Sequence, residues 1–375
     1  MEYHREIEEV NILTSLLLKN LSGSSERIIH SLKTAFACLL GFVFTKLIGF
    51  HTDQWLIITI LVVMCAQMNV GSVVQKSYMR FLGTLAGSVI AAITIVVLGT
   101  DPVIIAIVVA TSALLFSYLA TSQKKYNDAG TLGAVTTTII LVGQNATVTG
   151  AAERFLEISL GILIAALVAQ FVLPVHARVH LMQNQATTFR RLRAYYLATL
   201  LTDQNNEGSE NYKELDEVIV KSLIEQRKLA ADAVHEPLKN RFNLGNFAQS
   251  LFCEREILRC ITFMHHAYKA SPDTKNIFSR MHLLTSFHEQ VCKVLENFAA
   301  CLERKKSNES ISIVLPEIHP LKEAIETTAK NLSPDDMVYA CSFLFCAEIL
   351  LKRLEQLVLL INQMNVDFLV VENHD

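Results

Sequence analysis

The stretch MRFLGTLAGSVIAAITIVVL, Met79–Leu98, decides the class of this protein. It runs for 20 residues, and Arg80 is its one charged side chain. A helix needs about 20 mostly apolar residues to cross the hydrocarbon core of a bilayer, so this segment predicts a transmembrane helix. We therefore expect an integral membrane protein with the lipid bilayer as a partner.

Five further apolar runs accompany this stretch in the first half of the chain. Together they predict six spans, at Ile29–Phe50, Trp55–Met68, Met79–Leu98, Val103–Ala120, Ala129–Val142 and Phe155–Leu173. The second and fifth runs hold only 14 residues each. Because both are flanked by strong spans, we interpret them as tilted, broken or partly shielded crossings.

Charge is distributed unevenly between the two halves. Residues 1–175 hold 10 of the 33 Lys and Arg residues and 10 of the 36 Asp and Glu residues. We therefore expect the chain to leave the lipid near Pro174 and to continue in water. We expect an all-α membrane protein with a cytoplasmic N-terminal segment (1–27), a six-helix transmembrane bundle (28–175) and a helical cytoplasmic domain (176–375). The net charge of −3 is too small to indicate a nucleic-acid partner.

The second half shows helical apolar spacing and carries no enzyme signature. Helices are predicted at Val179–Leu201, Asn211–His235, Leu244–Tyr268, Asn276–Arg304, Leu321–Ala329 and Pro334–Met364. No Walker, G-x-S-x-G or H-E-x-x-H motif occurs, so an enzyme and a bound cofactor are not expected. The eight cysteines form no C-x-x-C pair and are interpreted as reduced core thiols, with metal ligation as the less favoured alternative.

Lysines and arginines predict the orientation of the spans. They cluster before the first span, between the second and third, between the fourth and fifth, and after the sixth, at Arg5, Lys19, Arg27, Lys33, Lys76, Arg80, Lys124, Lys125, Arg178, Arg190, Arg191 and Arg193. The positive-inside rule then places both termini in the cytoplasm of an inner-membrane protein. Arg154 is the clear exception, on the outer side, and Lys46 lies near the end of the first span.

The two halves of the membrane region resemble each other. The pattern Arg80-Phe81-Leu82-x4-Gly87-x2-Ile90-Ala91-Ala92 recurs as Arg154-Phe155-Leu156-x4-Gly161-x2-Ile164-Ala165-Ala166, with seven identities in thirteen positions at an offset of 74. Two units of three spans each must have opposite topology, which is a recurring transporter architecture. The alternative is chance similarity between low-complexity apolar helices.

Small residues in the spans are expected to let helices approach closely. Gly83-x3-Gly87 lies in the third span, and Gly161-x3-Ala165 lies in the sixth. In lipid such small-residue faces favour tight helix–helix packing. The alternative is a pore-lining role, because glycine also exposes backbone polar groups.

Charged residues within or beside the spans are the stronger functional candidates, because each is costly in lipid unless it faces protein or water. Arg80 and Arg154 begin the third and sixth predicted spans and could draw anions to opposite mouths of one pathway. Arg80 could instead be a positive-inside anchor, and Arg154 could pair with Glu157. Lys33 and Lys46 are further pathway candidates, with snorkelling toward the interface as the alternative.

Polar residues near the two short spans complete the predicted pathway. Gln67 and Asn69 close the second span, and Thr136 and Thr137 lie within the fifth. The placement of Gln67 and Asn69 at a break in the helices is the pattern expected of a substrate passage, and the threonines could line a hydrated path. They could equally form hydrogen bonds between helices.

These landmarks, in this order, resemble the core of the fusaric acid resistance (FUSC) family, also called aromatic acid exporters. The motifs are Trp55-x3-Thr59-x2-Val62-Val63-x3-Gln67, Arg80-x2-Gly83-Thr84-x2-Gly87, Lys125-Tyr126, Ala151-Ala152-x-Arg154-x6-Gly161 and Pro174. The same landmarks are distantly similar to plant aluminium-activated malate transporters. Met68 departs from the pattern, because bacterial members usually have proline there.

The resemblance implies six spans, a helical cytoplasmic domain and passage of organic carboxylate anions, aromatic acids in one branch and malate in the other. It implies that Arg80 and Arg154 are the pathway charges. Many bacterial members carry two copies of the unit in one chain, so a single copy implies a homodimer. We expect an exporter or channel for such anions. The alternative is a membrane scaffold that transports nothing and recruits a partner through its cytoplasmic helices.

Overall fold

The computed structural model describes residues 27–47, 54–65, 68–143, 146–200, 208–236, 242–270, 282–303, 313–329 and 333–372. These residues are helices and their connections, and no strand occurs among them. The contacts divide the chain into two compact units, Met1–His176 and Ala177–Asp375. Each unit has its own core.

The described helices of the first unit are α1 Arg27–Leu47, α2 Gln54–Met64, α3 Val70–Ile93, α4 Pro102–Ser122, α5 Asn127–Val142 and α6 Val148–Phe171. A π-helical turn, Thr94–Leu98, continues α3, and a 3₁₀ turn, Lys124–Tyr126, precedes α5. Four of these helices are long and apolar enough to cross a membrane: Arg27–Leu47, Val70–Leu98, Pro102–Ser122 and Val148–Phe171. With 11 and 16 residues, α2 and α5 measure about 16 and 24 Å, less than the ~30 Å of a bilayer core.

Two of the predicted helix starts are wrong. The third span was expected to begin at Met79, but α3 begins at Val70, directly after the extended residue Asn69. The sixth was expected at Phe155, but α6 begins at Val148, where the hydroxyl of Thr147 accepts a hydrogen bond from the backbone of Gly150. Hydropathy does not set a helix terminus: α6 begins at a capped position, whereas Asn69 before α3 makes no side-chain capping hydrogen bond.

Glycines hold the helices of the first unit close together. A Cβ on Gly87 would lie 2.6 Å from the carbonyl oxygen of Gly133 on α5, and one on Gly161 would lie 2.8 Å from the carbonyl oxygen of Leu56 on α2. A Cβ on Gly83 would clash with the backbone of Ala129. Thus α3 packs closely on α5, and α6 packs closely on α2.

The second unit is an all-helical assembly centred on one helix. Its helices are α7 Ala177–Leu200, α8 Gly208–Ala233, α9 Leu244–Lys269, α10 His282–Glu303, α11 His319–Ala329 and α12 Pro334–Glu372. Helix α7 packs against α8, α9 and α10, and α12 packs along α9. The core between them contains Phe189, Tyr196, Phe298 and Phe343, each fully buried. Ser333 caps α12 by accepting from the backbone of Asp336 at 3.1 Å, as its place before Pro334 predicts.

Candidate functional site

Arg80 is a buried cation in the interior of α3. It lies ten residues after Val70, about 15 Å along the helix, and is 4% exposed. The prediction that it begins a helix is therefore wrong. Its Nη2 donates to the hydroxyl of Thr59 on α2 at 3.2 Å, while its Nε and Nη1 have no hydrogen-bond partner in the described part of the chain. Buried charged donors are costly when unsatisfied, so a pathway role for Arg80 stays a prediction.

Three hydroxyls extend this site along one face of α3. Ser77, Thr84 and Ser88 lie three, four and eight residues from Arg80, which is the spacing of a single helical stripe. All are buried, and none of the three side-chain oxygens has a hydrogen-bond partner among the described residues. We call Ser77, Arg80, Thr84 and Ser88 the polar stripe. Thr84 belongs to the motif shared with the family, whereas Ser77 precedes the predicted third span and was missed.

Arg154 has a different environment. Its Nη1 forms a salt bridge with Glu157 at 3.1 Å, and its guanidinium carbon lies 5.0 Å from the ring centroid of Trp55 on α2. Glu157 is 1% exposed, and the Arg154 side chain is 23% exposed. The ion pair that the spacing offered as an alternative is therefore present. A pathway role for Arg154 stays a prediction.

Helices α3 and α6 meet beside the two arginines. The rings of Phe81 and Phe155, which directly follow Arg80 and Arg154, have centroids 5.6 Å apart. These two phenylalanines are separated by 74 residues, the offset of the sequence repeat. The repeated patterns are thus in mutual contact.

Lys33 is tied to the end of α6. It is 3% exposed, and its Nζ donates to the carbonyl oxygens of Ala169 at 3.1 Å and Leu173 at 3.3 Å. A buried ammonium at a helix C-terminus satisfies carbonyls that have no partner within the helix. Lys46 differs, because its Nζ lies 5.6 Å from the ring centroid of Phe42, one turn earlier on α1.

The threonines of α5 lie in the interface with α3. Thr136 is 4% exposed, and the hydroxyl of Thr137 donates to the carbonyl of Gly133 at 2.9 Å and lies 3.2 Å from the carbonyl oxygen of Gly87. This is the interhelical bonding that was the alternative to a pathway role.

Asn69 precedes α3 and does not end α2, which stops at Met64, so that part of the prediction is wrong.

Gln67 lies outside the described residues. Ala165 is fully buried in the core between α2 and α6, with Leu56 and Ile60.

Ser159 on α6 has a buried hydroxyl without a partner in the described part of the chain, and the sequence gave no reason to select it.

The second unit contains a buried carboxylate that sequence reasoning also missed. Glu254 on α9 is fully buried and accepts hydrogen bonds from Gln185 at 3.0 Å, Gln226 at 2.9 Å and Ser250 at 3.3 Å. Desolvation by burial raises the pKa of Glu254 to about 7, although these three donors oppose the shift.

The described residues of the chain contain no cluster of His, Cys, Asp or Glu that could hold a metal.

Comparison with known proteins agrees with these features. The model of the fusaric acid resistance protein family matches residues 27–363. The inner membrane protein YeeA of Escherichia coli (strain K12) is 28% identical over 154 residues, which are 41% of this chain and 43% of YeeA. The alignment therefore spans less than half the length of that relative.

The four long apolar helices and the family match together indicate a multi-pass membrane protein. The match covers most of the sequence and confirms the resemblance seen in its motifs, and the chain therefore belongs to the fusaric acid resistance protein family, whose members are membrane transport proteins.

Proposed function

We propose that this protein is an inner-membrane transporter that exports organic carboxylate anions, aromatic or dicarboxylic acids. The observation that carries the proposal is the polar stripe, where Arg80 is 4% exposed and two of its guanidinium nitrogens have no hydrogen-bond partner in the described part of the chain. A carboxylate is the ligand that best matches the planar donors of arginine. The unpartnered hydroxyls of Ser77 and Thr84 supply further donors beside it.

All six helices of the first unit are proposed to cross the membrane as a three-plus-three inverted repeat. Three pairs of positions support it. Phe81 contacts Phe155, which is its equivalent at the offset of 74. A Cβ on Gly87 would approach residue 133, and one on Gly161 would approach residue 59, and these two contacts are related by the same offset. The short helices α2 and α5 also occupy equivalent places, as interrupted helices do in such transporters.

In this arrangement the anion pathway runs between the repeats. Arg80 attracts the anion from one mouth and Arg154 from the other, while Gln67 and Asn69 line the route and the α5 threonines join α5 to α3. The second unit lies in the cytoplasm with both termini, and the functional assembly is a homodimer. The name of YeeA, an inner membrane protein, supports the choice of membrane.

The proposal is tested by flux from proteoliposomes loaded with p-hydroxybenzoate, with and without an imposed pH gradient or voltage. Arg80→Gln should weaken apparent affinity about ten- to a hundredfold, because a charged hydrogen-bond donor to the substrate contributes about 1.5–3 kcal/mol. Arg259→Gln is the matched control, since this α9 side chain is 57% exposed. The double variant Arg80→Gln with Arg154→Gln should lose selective flux.

Each outcome has a defined meaning. Flux that responds to the gradient identifies a secondary exporter, and flux driven by voltage alone identifies a channel. Unchanged flux in the double variant rejects the role given to the arginines. If the purified, folded protein moves no carboxylate, the scaffold alternative replaces transport.

A further inference from the structure

Thr59 on α2 faces two neighbouring helices at once. Its side chain is fully buried. On one side it packs against α6, where a Cβ on Gly161 would lie 3.0 Å from the methyl carbon of Thr59. On the other side its hydroxyl oxygen accepts a hydrogen bond from Nη2 of Arg80 on α3 at 3.2 Å. The methyl and the hydroxyl of this one residue therefore contact different helices.

Neighbouring helices, and not its own helix, orient the Thr59 hydroxyl. Threonines within helices often donate to a carbonyl one turn earlier, as the buried Thr94 does to Ile90 at 2.8 Å. In the described part of the chain the Thr59 hydroxyl makes no such bond, and its contact is the one with Arg80. A β-branched side chain has few χ1 rotamers in a helix. With the methyl against α6, the hydroxyl is directed at the guanidinium.

Arg80 is also attracted by a carboxylate that it does not touch. Asp128 lies half-buried in the first turn of α5 and interacts electrostatically with Arg80. Among the described residues no hydrogen bond joins the two, and Nε and Nη1 of Arg80 have no partner. Opposite charges attract strongly where water is scarce. A guanidinium that moved onto Asp128 would be neutralised and would no longer attract an anion.

We propose that Thr59 is a positioning residue of the carboxylate site: its hydroxyl holds the Arg80 guanidinium away from Asp128, so that Nε and Nη1 stay available to an organic carboxylate. The inference rests on the proposed transport function and adds to it a residue that acts through Arg80. Valine at this position would keep the shape of the side chain and remove the acceptor oxygen. Serine would keep the oxygen and remove the methyl that packs on α6.

The first test compares variants in proteoliposomes loaded with p-hydroxybenzoate. Thr59→Val should raise the half-saturation concentration about five- to tenfold, with maximal flux per folded molecule within about twofold of wild type, because one hydrogen bond to a charged group is lost. Thr59→Ser should stay within about threefold of wild type, since the acceptor remains. Thr94→Val is the matched control, because this buried hydroxyl bonds within its own helix. If Thr59→Val does not fold, Thr59→Ala also lacks the acceptor and should give the same shift.

The second test asks whether Asp128 is what Thr59 opposes. Adding Asp128→Asn to Thr59→Val removes the competing charge and should return the half-saturation concentration to within about twofold of Asp128→Asn alone. In Arg80→Gln, Thr59→Val should have no further effect, because no guanidinium is left to position. A role for Thr59 in packing alone predicts neither result.

The outcomes separate this inference from the proposed function. If wild type moves p-hydroxybenzoate and Thr59→Val has the same half-saturation concentration, Thr59 does not position Arg80 and the transport function stands. A shift in Thr59→Val that persists undiminished with Asp128→Asn also overturns the inference. If wild type moves no carboxylate, the proposed function fails, and the positioning role fails with it.

Discussion

Replacing Glu254 with glutamine should stabilise the second unit in alkaline solution and have little effect in acid. The pKa of this carboxyl rises from 4.5 to about 7 on folding. The folded state therefore binds more protons between those values, so stability falls as pH rises from 4.5 through 7. A difference of about 2.5 units at 1.36 kcal/mol each corresponds to about 3 kcal/mol lost above pH 7. The Glu254→Gln variant never carries the charge and should regain this amount.

The introduced amide has a partner available. The Oε1 of Gln226 accepts no hydrogen bond among the described residues, so a rotated Gln226 amide can accept from the new N–H. Gln185 and Ser250 can continue to donate to the remaining oxygen. The rotation turns the Nε2 of Gln226 away from Thr188, so the substitution removes the charge and gives up one buried hydrogen bond of about 1 kcal/mol.

Hydrogen exchange of the full-length protein, read by mass spectrometry, measures the effect locally. Peptides from α7, α8 and α9 should exchange roughly a hundredfold more slowly in Glu254→Gln than in wild type at pH 8, and nearly equally at pH 5. Glu217→Gln is the control, because this α8 side chain is 72% exposed. Faster exchange in Glu254→Gln at pH 8, or an effect of the same size at both pH values, would refute the reasoning.

Two further predictions concern the first unit. Gly87→Leu should prevent stable folding, since even a Cβ would lie 2.6 Å from the backbone of α5, whereas Ala86→Leu on the exposed side should leave the melting temperature of the purified protein within a few degrees of wild type. Lys33→Met should lower that melting temperature, because it leaves the carbonyls of Ala169 and Leu173 unpaired at about 1–3 kcal/mol each, and flux per folded molecule should be retained. Lost flux at unchanged stability would instead return Lys33 to the pathway.

Apolar periodicity predicted the type of the helices better than their ends. The apolar run from Met79 identified α3. The first turns of α3 were predicted as a loop because they contain the polar residues Gln75, Lys76, Ser77 and Tyr78. A helix in protein surroundings can extend past its apolar run when its polar residues face other helices or the interface. Hydropathy windows average over such turns, so the true depth of Arg80 within α3 could not be predicted.

The sequence also treated Arg80 and Arg154 as equivalent, because their local patterns match. In the structure the two arginines differ in the side chains that they contact. Glu157 pairs with Arg154, while the repeat places Gly83 at the corresponding position beside Arg80. A repeat predicts backbone equivalence, but the environment of a side chain depends on contacts from other helices, such as Thr59 with Arg80.

The glycine contacts of α3 and α6 restrict how this protein can diversify. At Gly83, Gly87 and Gly161 the neighbouring backbone fills the space that any side chain would occupy, so these positions accept no other residue without moving a helix. Under the proposed function, substrate selectivity must therefore depend on other positions. In the proposed passage, Ser77 and Thr84 carry small hydroxyl side chains beside Arg80, and we expect changes of polarity at these two positions to redirect its selectivity.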